Sequence, residues 1–140
     1  MLERVVILLG VVTVLTLTVV VARAWARWQA RWLLAVPGSV LLHALEAESD
    51  GRPSIVTFST PSCAACYTAQ APAVEHVARQ LGADNLRIFR VDAASRPEIA
   101  RTFGVLTVPS SVVLDANGRI TAVNHGFAPS QKLIQQLQTA

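Results

Sequence analysis

Between Arg4 and Arg23 the chain runs for 18 residues without a charge, VVILLGVVTVLTLTVVVA. As a helix this stretch rises about 27 Å, close to the roughly 30 Å of a bilayer's hydrocarbon core. It is apolar on every side, and a chain of 140 residues has little room to enclose such a helix in a globular core. A transmembrane helix is therefore expected. Thr13, Thr16 and Thr18 can bond back to helix carbonyls and do little harm in lipid. The alternative is a cleaved signal peptide with Ala22-Arg23-Ala24 as its small-residue site, but the apolar region of such peptides usually spans only 7–15 residues. Hydrophobic residues make up 52% of the chain and charged ones 15%, which also leans toward membrane attachment.

The next stretch is ARAWARWQARWLL. At 100° per residue, Trp25, Trp28 and Trp32 share one helical face, and Arg23, Arg27 and Arg31 take the opposite one. Tryptophan at headgroup depth and arginine toward phosphate describe an interfacial helix on a lipid bilayer. A Trp stripe packed on a partner protein is the other reading, and the two are compatible. The three arginines lie on the C-terminal side of the span, so the positive-inside rule favours a cytoplasmic position for the rest of the chain. An outward-facing domain is the alternative. Residues 1–34 carry four arginines against Glu3, and the remaining 106 residues balance eight basic groups with eight acidic ones. That neutrality argues against nucleic acid as a partner.

After this anchor region, residues 1–36, the pattern changes to that of one globular domain, residues 37–140. Pro37-Gly38 breaks the helix. Val40–Glu48 reads as a short amphipathic helix ended by Ser49-Asp50-Gly51. Ile55–Ser59 is a β-branched, buried strand. Cys63–Leu81 is a helix stopped by Gly82, with Pro72 expected to kink its middle. Leu86–Val91 is a second strand. Pro97–Phe103 is a short helix that ends at Gly104. Ser111–Leu114 and Arg119–Asn124 flank Asp115-Ala-Asn-Gly118 as a hairpin. Ser130–Gln138 closes the chain as a helix with Leu133, Ile134 and Leu137 toward the core. Two strands joined through a helix imply a parallel pair, and the hairpin adds antiparallel strands, so the fold class is α/β: a mixed sheet flanked by helices.

The only two cysteines, Cys63 and Cys66, stand three apart just after the first strand. Three readings fit two cysteines: a redox pair, a buried structural pair, or a metal site. Structural cysteines do not explain the placement at a helix start. Zinc wants four ligands, and nothing in the spacing brings His43, His76 and His125 to Cys63, so no metal is expected. His76 is expected to be a surface or packed residue.

The runs SIVTFSTPSCAAC, RVDAASRPEIARTFGVLTVPS, VLDANGRI and NHGF together resemble the thioredoxin family over roughly residues 39–140. The resemblance implies a thioredoxin-like fold behind the transmembrane helix and thiol–disulfide exchange by the CxxC pair, with no cofactor beyond a Cys63–Cys66 disulfide. Cys63 at the helix start, where free N–H groups and the dipole favour a thiolate, is the expected nucleophile. Cys66, one turn on and more buried, is the expected resolving thiol. The resemblance also implies a cis Val108–Pro109 bond. The expected substrate groove comprises Ala64, Ala65, Thr107, Val108, Pro109, His125 and Gly126.

Departures from the family pattern stand beside these. The tryptophan and Gly-Pro around the family's cysteines are replaced by Ser62 and Ala64-Ala65. The buried Asp found in many thioredoxins six residues before the first cysteine is Thr57 here, and the lysine near it is matched by Arg90. Those two positions are expected to tune the thiols. Pro72 stands one residue later after the second cysteine than usual. The expected function is a membrane-tethered thiol–disulfide oxidoreductase acting on protein thiols or disulfides in or at the membrane. The rival is a non-catalytic thioredoxin-fold subunit docked in a larger membrane complex.

Overall fold

The computed structural model describes residues 2–140; within them the side chains of Leu2, Val5 and residues 29–34 lie outside the description. The chain divides into two compact units, Met1–Ala35 and Val36–Ala140.

The first unit is a single helix, α1, Leu2–Leu34. Its 33 residues rise about 50 Å, more than a bilayer core requires. The backbone passes from the uncharged run into the Trp/Arg segment without a break. Val6–Trp28 is long and apolar enough to cross a membrane and is wholly exposed. The threonines bond back as expected: Thr13 Oγ1 donates to the Leu9 carbonyl at 2.7 Å and Thr18 Oγ1 to that of Val14 at 2.8 Å. Thr16 Oγ1 reaches the Val12 carbonyl at 2.9 Å. Each hydroxyl is thus satisfied within the helix and asks nothing of its surroundings.

The second unit is built on four strands: β1 Ser54–Ser59, β2 Arg87–Asp92, β3 Ser110–Leu114 and β4 Ile120–His125. Their order in the sheet is β2-β1-β3-β4. β1 runs parallel to β2 and antiparallel to β3, and β3 and β4 form the hairpin. The order of elements and the mixed sheet are those read from the sequence. Alternation along β1 sends Val56 and Phe58 to one core, where Phe58 meets Phe103 with ring centroids 5.6 Å apart. Ile55 points into the other core with Val74, Val77 and Leu133. Helices α2 (Gly38–Ala44) and α4 (Pro97–Thr102) cover the first face. Helices α3 (Ala71–Leu81) and α5 (Ser130–Gln138) cover the second.

Two helices differ from expectation. α2 ends at Ala44 instead of continuing to Glu48. Glu46 takes a left-handed φ of 56°, its N–H bonds the His43 carbonyl, and the Ala47 N–H reaches back to Leu42. This is the hydrogen-bonding of a helix stop that usually carries glycine, formed here without that signal. The helix after Cys63 is also not one kinked α-helix. It begins at Ala64, widens into a π turn over Cys66–Gln70, and continues as α3. The Ala71 N–H bonds the Cys66 carbonyl, five residues back. A π turn holds one residue more than an α turn, which accommodates the extra residue ahead of Pro72. Pro72 consequently falls in the first turn of α3, where its missing N–H costs little.

Candidate active site

The sheet topology brings three chain segments to one end. β1 runs out at Ser59 toward Cys63. Phe58 pairs with Ser110, so Pro109 enters the sheet beside the point where β1 leaves it. Ser110 pairs in turn with His125, which puts Gly126 at the same end. The Gly126 N–H donates to the Pro109 carbonyl at 2.8 Å. Gly126 holds φ at +86°, a conformation that glycine adopts without the steric cost of a Cβ. The Val108–Pro109 bond is cis, as the resemblance implied.

Cys63 and Cys66 are joined as a disulfide with their Cα atoms 5.4 Å apart. Cys63 is half-buried, Cys66 is only 5% exposed, and Ala64 and Ala65 lie exposed between them. Cys63 stands just ahead of the helix, and its Sγ accepts the Cys66 N–H at 3.2 Å. The same N–H also reaches the Cys63 carbonyl at 3.1 Å, so the sulfur stands at the place of an N-cap acceptor and shares a first-turn donor with its own backbone. A negative charge on that sulfur would strengthen the bond and gain from the positive helix end. The same chain geometry identifies the accessible sulfur and favours its anionic form.

A cavity of about 100 Å³ opens beside Cys66, with Thr57, Ser59, Tyr67, Gln70 and Arg90 in its lining. Thr57 sits mid-strand opposite Arg90 and donates its hydroxyl to the Phe89 carbonyl at 3.2 Å. None of the residues lining the cavity is acidic, and among the described residues no carboxylate forms an ion pair with Arg90. A proton leaving Cys66 therefore meets hydroxyls, an amide and a cation, and no carboxylate base.

The other expected groove positions are at hand: Thr107 is exposed, Val108 half-buried and His125 exposed. On α1, Arg23, Trp25, Arg27 and Trp28 are all exposed, and the rings of Trp25 and Trp28 are 5.8 Å apart. The side chains of Arg31 and Trp32 lie outside the described residues. His43 and His76 are exposed on α2 and α3.

Sequence reasoning missed Gln70; Phe127 lies in the NHGF run already matched to the family pattern. Gln70 is 3% exposed. Its Oε1 accepts the Ala128 N–H at 2.9 Å and its Nε2 donates to the Ala128 carbonyl at 3.2 Å. A signal was present: the core-facing series Val74, Val77, Leu81, extended back four residues, lands on Gln70, a polar residue on an apolar stripe. Phe127, beside Ala128, is 52% exposed, and Leu106, three residues before Pro109, is 85% exposed.

Comparison with known proteins agrees with this geometry. The thioredoxin family model matches residues 43–139. Thioredoxin of Bacillus subtilis (strain 168) is 29% identical over 90 residues, covering 64% of this chain and 84% of that protein. Among solved structures, malaria-parasite thioredoxin-2, a component of a protein secretion machinery, superposes with a TM-score of 0.60 at 20% identity, covering 67% of this chain and 88% of that one. Chloroplastic thioredoxin z gives 0.59 at 19% identity, covering 74% and 89%. With its Cys-Ala-Ala-Cys disulfide at a helix start and a cis-proline at the same end of the sheet, the chain belongs to the thioredoxin family.

Proposed function

We propose that the protein is a membrane-tethered thiol–disulfide oxidoreductase that exchanges disulfides with protein partners in or at the membrane. The observation that carries this reading is the pairing of Cys63 and Cys66 across the first turn of a helix, with the outer sulfur at the N-cap position. As a reductant, the dithiol form acts in two steps. The Cys63 thiolate attacks one sulfur of the partner disulfide, a mixed disulfide forms, and the partner's other sulfur leaves as a thiolate. Cys66 then loses its proton and attacks Cys63 Sγ, which frees the partner's second thiol and closes the Cys63–Cys66 bond. Two electrons pass to the partner, and no further cofactor takes part. Run in reverse, the same steps oxidise a partner dithiol. Val108, Pro109 and Gly126 border the place where the partner segment lies, with Ala64 and Ala65 leaving the approach to Cys63 open.

Helix α1 supports the tether, and Arg23, Arg27 and Arg31 on its C-terminal side favour the cytoplasmic face for the redox domain. Thiol trapping in intact and permeabilised cells tests chemistry and topology together. A membrane-impermeant maleimide is expected to label Cys63 only after permeabilisation, and an oxidant pulse is expected to convert the pair reversibly to the disulfide. Labelling in intact cells would reverse the topology. Cys63→Ser is expected to lower disulfide exchange by more than a thousandfold, since the remaining thiol, Cys66, is only 5% exposed. Cys66→Ser is expected to trap partners as mixed disulfides. A Cys63→Ser protein that still fulfils its cellular role would favour the docking-subunit reading.

A further inference from the structure

The loop from His125 to Pro129 is held at two places. The Gly126 N–H is bonded to Pro109 at 2.8 Å. Two residues on, the backbone N–H and carbonyl of Ala128 are both taken by Gln70, at 2.9 and 3.2 Å. Ala128 itself is fully buried and part of the core on the α3 side. Between the two pins stands Phe127, a large apolar side chain with half its surface in solvent. The flanking residues are fixed and the ring is not covered. Gln70 reaches the loop from the π turn that begins at Cys66, so the element carrying the resolving cysteine also holds the loop. A buried amide with both groups bonded rigidifies its surroundings. A rigid exposed aromatic offers contact area at little entropic cost.

We propose that Gln70 is a positioning residue: by bonding both sides of Ala128 it holds Phe127 at the rim of the disulfide-exchange groove, and so gives the protein a preference for partner segments with an apolar residue beside the reacting cysteine. This rests on the oxidoreductase reading above. The bidentate arrangement matters, because a single hydrogen bond would leave the peptide free to swivel. Gln70 also lines the cavity beside Cys66, whereas Phe127 does not, so a change at Phe127 separates recognition of the partner from the chemistry of the thiols.

The test uses the reduced full chain in detergent micelles with three disulfide probes. One is the small aromatic disulfide DTNB, which needs no groove. The other two are disulfide-linked peptides that differ only in a leucine or a serine beside the cysteine. The wild-type chain is expected to favour the leucine peptide by about tenfold in kcat/KM, mainly through KM, a usual span for one apolar contact. Gln70→Leu and Phe127→Ser are each expected to erase that preference, and Phe127→Ser, outside the lining of the Cys66 cavity, is expected to leave the DTNB rate within twofold. The double variant is expected to add nothing further, because both changes remove one device. Phe127→Ser alters an exposed side chain and keeps the inference testable if Gln70→Leu folds poorly. Retained preference in either folded variant would overturn the inference, as would equal loss on all three probes in Gln70→Leu with Phe127→Ser unchanged. A wild-type chain active on DTNB with no preference between peptides would overturn it while leaving the oxidoreductase reading intact. A wild-type chain inert toward all three would overturn both.

Discussion

Valine serves opposite ends in the two units. In α1, Val11, Val12, Val14, Val19, Val20 and Val21 all face outward. In the sheet, Val56, Val112 and Val113 are completely enclosed. The residue type and its transfer energy are the same; the surroundings that complete it differ. The strands alternate, so each valine finds a neighbour in the same chain. α1 has no alternation, bonds its own backbone and its own threonine hydroxyls, and offers an apolar cylinder for something outside the chain to cover. A total of 52% hydrophobic residues therefore describes two populations, and only one of them stabilises the redox fold.

Deleting apolar volume should affect the two units most unequally. Phe58→Ala empties a core site that is 1% exposed and stacked on Phe103. It is expected to cost about 3–5 kcal/mol of unfolding free energy, read by denaturant titration followed by far-UV circular dichroism. Leu15→Ala on α1 is expected to leave that transition in place. Charge should reverse the asymmetry. Leu15→Arg places a cation mid-span at a cost of about 2.5–3.5 kcal/mol to membrane insertion, expected to move much of the protein from the membrane fraction to the soluble one. All three tryptophans lie in α1, so a red shift of tryptophan emission should report this change with disulfide exchange by the redox unit unaffected.

A third experiment stays within the redox unit. Thr57→Asp puts a carboxylate in the cavity lining beside Cys66 and across from Arg90. It is expected to speed release of the partner from the mixed disulfide by roughly tenfold or more at neutral pH, as a positioned base does; rapid acid quenching of the mixed disulfide measures it. Unchanged release would show that Cys66 loses its proton by another route.

The smallest effect lies far from the thiols. The Arg52 side chain, bonded to Asp50 at 2.6 Å, holds the Asp50 carboxyl below the usual carboxylate range. A carboxylate whose folded pKa is lowered contributes stability that is present above its unfolded pKa of about 4 and is lost as pH falls through the folded value. The pair is exposed, so the expected gain is slight. Asp50→Asn should remove a shallow acid-side decline in stability that sets in below about pH 4 and change nothing at pH 7 beyond a small fixed loss.

Much of the fold was legible because its punctuation is local. Pro97 and Gly104 bracket α4, Asp115 to Gly118 make the turn, and β-branched runs mark the strands. The redox pair and the cis-proline were legible through the family pattern. What escaped depends on distant partners. The stop at Glu46 is set by backbone bonds to Leu42 and His43 without a glycine to announce it. The π turn differs from an α turn by one hydrogen-bond step, and Gln70's partner lies 58 residues away. A polar residue on an apolar stripe marks that something is being held, and only the fold shows what.

The unequal burial of the two sulfurs also divides exposure to damage from the means of repair. A peroxide arriving from solvent meets Cys63 first and converts its thiolate to a sulfenic acid. Cys66, sheltered one turn away at 5% exposure, keeps its thiol and can condense with that sulfenic acid, expelling water and forming the Cys63–Cys66 disulfide. Further oxidation to the sulfinic acid must compete with a neighbour already in place. An accidental hit on Cys63 is thereby returned to the disulfide already seen in the structure.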